Sequence, residues 1–157
     1  MSRLIESLHL ASGLAPVADA LAGTVASDVV NMEEFGKAIF IIHKGVGATG
    51  TSTITVEACD DVTPTTTSAV EFHYKAITST DVNGAVTAAA STGFALTAGS
   101  AQIYAIEVDA AALNASGYGY VRLKAVEVVD SPVLAGILIV MAEPRYGVAS
   151  VLRTQLV

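Results

Sequence analysis

A chain of 157 residues, 52% hydrophobic and only 15% charged, is long enough for one domain with a real core and apolar for a soluble monomer. Its net charge of −7, with eight Lys and Arg scattered along the sequence, excludes a basic nucleic-acid patch. Its one cysteine, Cys59, excludes an internal disulfide.

Taken in order, residues 1–23 read as an N-terminal arm. Ser2–Leu10 is predicted as a short helix with Ser2 as N-cap and Leu4, Ile5 and Leu8 on one face. Gly13 and Pro16 break the next segment, and Glu6 and His9 interrupt the apolar core that a secretion signal needs. The chain is therefore expected to be soluble and made in the cytoplasm. Thr24–Met32 is predicted as the first strand of a β-domain over residues 24–146.

The central stretch, Ala38–Asp60, reads AIFIIHK, GVGATG, TSTITVEACDD. Two runs rich in β-branched residues flank a glycine loop, which predicts two antiparallel strands of a hairpin. In the second run Ile54, Val56 and Ala58 share one face and Thr53, Thr55 and Glu57 the other, the pattern of a sheet with one dry and one wet side. Ala69–Thr78 alternates most cleanly, with Val70, Phe72, Tyr74 and Ala76 opposite Glu71, His73 and Lys75.

Short strands are predicted at Val86–Ala89, Phe94–Thr97 and Gln102–Val108, then a helical turn from Asp109. Tyr118–Val129 changes phase after Ala125, which predicts a β-bulge there. Val133–Ala142 is a strand apolar on both sides, and too short to cross a bilayer as a helix. Residues 147–157 are a tail carrying Val151, Leu152 and Leu156. Eight or nine short strands with few helical segments predict an all-β fold, a two-sheet antiparallel sandwich of jelly-roll type with terminal arms.

Residue patterns that carry chemistry are weak. Gly45, Gly47 and Gly50 spell G-x-G-x-x-G, but a dinucleotide site needs a helix next, and Thr51, Thr53 and Thr55 favour strand. The loop is therefore read as a hairpin tip without nucleotide. Cys59 precedes two aspartates, which raise a thiol pKa, so it reads as a small strand residue. His9, His43 and His73 lack metal-site spacing. His43 and His73 can meet across adjacent strands, but read as solvent-facing or hydrogen-bonded. Asp60–Asp61 reads as a solvated turn, not a calcium loop. Tyr118, Tyr120 and Tyr146 read as core or interface residues, not a sugar platform. No catalytic residue, metal or cofactor is expected. A cupin-like enzyme would need clustered His and acidic ligands.

Three segments carry a resemblance: FIIHKGVGATGTSTITVEACDD, VRLKAVEVVDSPV and MAEPRY. Over roughly residues 30–146 the chain resembles small tailed-phage proteins found with head genes, a group associated with jelly-roll head decoration, or cement, proteins. The resemblance implies a non-enzymatic virion protein, made in the host cytoplasm, that binds the capsid exterior and clamps adjacent capsomers. Its implied partners are the major capsid protein and copies of itself, with no direct nucleic acid and no membrane. Another virion β-module is the alternative: a head-fibre base, a tail component or a receptor-binding domain. Contacts to subunits or shell are expected from Leu4, Ile5, Leu8, Arg145, Tyr146, Val151, Leu152 and Leu156, because these apolar ends lack the local length to bury themselves.

Overall fold

The structure, a computed structural model, describes residues 3–78 and 81–147. After a single 3-10 turn at Leu4–Ser7 come strands β1 (His9–Val17), β2 (Thr24–Ala26), β3 (Val30–Asn31), β4 (Phe35–Lys44), β5 (Thr51–Cys59) and β6 (Thr67–Val70). Next are β7 (Phe72–Ile77), β8 (Thr87–Ala89), β9 (Phe94–Ala95), β10 (Ile103–Asp109), helix α1 (Ala110–Asn114), β11 (Tyr120–Val129) and β12 (Ala135–Pro144).

Among the described residues, two six-stranded sheets face each other. The first has the order β1-β12-β4-β10-β7-β8; the second runs β2-β11-β5-β6, with β3 also on β11 and β9 on β5. The strand pairs are antiparallel. The fold is thus an all-β, two-sheet antiparallel sandwich of jelly-roll-like form. Its core fills from the period-two faces. Ala38, Phe40 and Ile42 of β4 and Ile139 and Met141 of β12 meet Ile54, Val56 and Ala58 of β5 and Val121, Leu123 and Ala125 of β11. Tyr104, Ile106 and Val108 share the inward face of β10, as their spacing requires.

Several expectations are corrected. The central stretch is not a hairpin: β4 lies in the first sheet and β5 in the second, so the glycine loop is a crossover between sheets. The Ala69–Thr78 run is likewise divided. β6 and β7 belong to different sheets, and the chain crosses at exposed Glu71 while Val70 and Phe72 both point inward. The helix expected over Ser2–Leu10 shrinks to the 3-10 turn, because His9–Val17 finds a full partner in β12. Gly13 permits that pairing: a Cβ there would meet Ile139 Cγ1 at 2.9 Å.

The strand expected over Thr24–Met32 is two short strands separated at Ser27, whose hydroxyl accepts a hydrogen bond from the Leu123 amide at 3.0 Å. The bulge in β11 falls between Glu127 and Val129, not at Ala125. That shift leaves Val128 outside the β5 register and exposed. Part of the segment read as an N-terminal arm is therefore an edge strand of the sandwich.

Candidate functional site

The glycine loop is a corner. Gly45 N–H donates to Leu134 O (2.7 Å), Leu134 N–H donates to Val46 O (2.8 Å), and Ala101 N–H donates to Gly45 O (2.9 Å). It thereby packs on the chain between β11 and β12, which also crosses between the sheets. Gly47 has φ +141°, and a Cβ there would lie 2.9 Å from Pro132 O. Gly50 is as tightly placed against Ser131 and Val133. The glycines let two backbones touch; the Gly45 amide donates to Leu134 O and the Gly47 amide to Ser100 Oγ at 3.2 Å.

Beside this corner lies Lys44, for which the sequence pattern suggests no special role. It continues the inward phase of Ala38, Phe40 and Ile42 and is fully buried. Its Nζ donates to Thr97 O (2.9 Å) and to Gln102 Oε1 (3.1 Å). Gln102 Oε1 also accepts from Tyr104 Oη (3.2 Å), which in turn accepts from the Thr97 amide (3.1 Å). No carboxylate pairs with Lys44 among the described residues, and burial lowers its pKa. The cluster ties β4, β10 and the β9–β10 loop together, and its polar atoms are spent on protein partners.

On the outer face of the second sheet, Glu57 lies directly opposite Arg122. Its carboxylate accepts from Arg122 Nη2 (2.7 Å) and Nε (2.9 Å), and from Lys124 Nζ (3.0 Å). Burial pushes the Glu57 pKa up, but the hydrogen bonds from Lys124 and Arg122 outweigh it and hold the carboxyl below its ordinary value. Thr51, Thr53 and Thr55 fill the rest of that β5 face.

The first sheet's outer face has the opposite character. Leu138 pairs with Ile41 and Val140 with Ile39, and on β1 Leu10 lies beside Val140. Ile41 in turn faces Ala105. Leu10 is 53% and Leu138 44% exposed, and Ile39, Ile41, Val140 and Ile103 are half-buried. Shallow hollows open on this face between Ser12, Pro16, Ile41 and Leu138, and between Ile39, Lys75, Val86 and Ala105. Charges gather on its β10–β7 side and at one end, where Lys37 Nζ bridges Glu107 (3.2 Å) and Asp109 (3.9 Å). In the sequence this patch shows only as the two-sided apolarity of Val133–Ala142 and of the AIFII run.

The other residues singled out in sequence are dispersed. Cys59 is fully buried, and desolvation pushes its thiol up to about 11, which leaves it inert. His43 and His73 do not meet: they flank β10 from opposite sides, in register with Ile103 and Glu107. Asp60 accepts from Thr65 and Thr66 in a turn. Tyr118 packs at the end of the core, Tyr120 sits opposite Cys59, and Tyr146 is 69% exposed. Leu4 and Ile5 stand in solvent at 77% and 67% exposure, and Leu8 is half-buried. The Arg145 amide donates to Glu34 O at 2.8 Å. Val151, Leu152 and Leu156 lie outside the described residues.

Among the described residues, no three His, Cys, Asp or Glu side chains converge as a metal site, and no helix is long and apolar enough to cross a membrane. No protein-family model, curated protein or solved structure matches the chain.

Proposed function

We propose that this chain is a structural subunit of a tailed-phage virion: a decoration protein that binds the outside of the head and stabilises contacts between capsomers. The observation that carries the reading is the aliphatic outer face of the first sheet, set against a threonine-rich and ion-paired face on the second. A protein that works by covering its neighbours needs a broad face of this kind rather than a cleft. The segments that carry the resemblance support it in a second way. GVGATG and DSPV are two of the crossovers, packed on each other at one corner, where their residues hold the fold together. Many copies on a shell turn modest contacts into a stable lattice.

The test is addition of the purified protein to phage heads that lack it, followed by sedimentation. Saturable binding, at a copy number in fixed proportion to the shell protein, is the expected result. Failure to bind heads, with binding instead to tails, fibres or a host-cell glycan, overturns the decoration role.

A further inference from the structure

We infer that the outer face of the first sheet is a self-association surface, closed in solution by the same face of a second copy of this chain. The inference concerns the free protein and rests on the proposed assembly role for its context only: the face that covers the shell on a head is closed by a second copy in solution, and head binding exchanges the one cover for the other.

The face is built as one half of an interface. Its centre is aliphatic, with Leu138 and Val140 on β12 and Ile39 and Ile41 on β4, and Leu10 extends it across β1. Its charges lie on β10 and β7 and at one end of β4, where Lys37 bridges Glu107 and Asp109, with Lys75 alongside Glu107. An apolar centre with a polar margin carrying both signs is the anatomy of a subunit contact, and a two-fold pairing lays the same patch on itself.

Size agrees. The strands β1, β12, β4, β10 and β7, about 4.8 Å apart and paired over roughly six positions of about 3.4 Å, mark out a footprint of roughly 500 Å². Two such corrugated faces bury about 1,000–1,500 Å² in total, which clears the threshold of about 1,000 Å² for a specific interface. Both faces are gently twisted sheets, which pack on each other at about 10 Å separation. The second sheet offers no equivalent, since Thr53, Thr55, Glu57, Arg122 and Lys124 would have to be desolvated.

Sedimentation equilibrium of the full chain tests this, alongside Ile41→Glu, Leu10→Lys and a Thr53→Lys control on the opposite face, where Thr53 pairs with Val126. The full chain and the control are expected to associate with the same concentration dependence. Ile41→Glu is expected to weaken association by roughly 30-fold or more. Leu10→Lys, at an exposed edge position, serves if Ile41→Glu fails to fold. A full chain that stays monomeric, or association that survives both face variants, overturns the inference. So does a monomeric full chain that associates only when cut after Gly147, because residues 148–157 would then be the cover. Head binding is read separately, so a chain that self-associates but ignores heads retains this inference and loses the decoration role.

Discussion

Glu57 is held by two cations on a surface otherwise rich in threonine, and the geometry sets how it answers to pH. Its folded pKa lies below the ordinary 4.5. Its contribution to stability is therefore complete above that value and lost as pH falls through the lower folded value. Glu57→Gln removes the negative charge and leaves a single amide oxygen to accept from Arg122 and Lys124, both partly exposed. A cost of about 1–2 kcal/mol, between that of a surface pair and a buried one, is expected in urea unfolding at pH 7. The cost should shrink as pH falls below 4.5; a difference that stays constant through that range would show that packing, not charge, is what the substitution removes.

Lys44 runs the other way. Burial lowers its pKa from 10.5, so the folded state resists protonation and stability rises with pH between the folded value and 10.5. Against Lys44→Met, the wild type should gain relative stability as pH rises towards 10.5. Unfolding curves with a constant offset across that range would rule the effect out.

Among the elements, the two crossovers that meet at the glycine corner leave no room for a side chain. Gly50 has Ser131 and Val133 where a side chain would go, so Gly50→Ala must push two backbones apart. Overpacking of this kind costs about 1–3 kcal/mol. A thermal melt should show the loss; an unchanged midpoint would mean the corner yields freely.

The same elements show what a sequence can and cannot disclose. Alternation in Ala38–Lys44, Thr51–Cys59 and Ala69–Ile77 reports which residues face the core, and the inward faces of these strands match it. Alternation does not report the partner strand. Val70 and Phe72 keep one phase across Glu71 although they lie in different sheets, because both sheets send their inner faces to the same core. Residues 9–17 do not read as a strand because Gly13 and Pro16 look like breakers. One is required by Ile139, and the other sits against Gly136 on the bulged edge. The outer apolar face is legible only as strands apolar on both sides, since no local pattern says which surface stays uncovered.

For the whole molecule, the division between arm and domain bears directly on stability. β1 covers one edge of β12, and Ala11, Ala20 and Leu21 are buried. Deleting residues 1–23 exposes β12 and removes those contacts, of which Leu21, the one large apolar side chain among them, is worth about 1.5–3 kcal/mol. The shortened chain is expected to lose at least about 1.5 kcal/mol in urea unfolding. An unaltered cooperative transition would return residues 9–17 to the status of an arm.

On the proposed reading, the sandwich works by covering a shell rather than by transforming a ligand. The stoichiometry of the wild-type protein bound to purified heads at saturation bears on this most immediately. A fixed ratio to the shell protein, reached at a sharp plateau and retained after pelleting, is the expected result. Sub-stoichiometric, unsaturable association, or none, would refute a covering role.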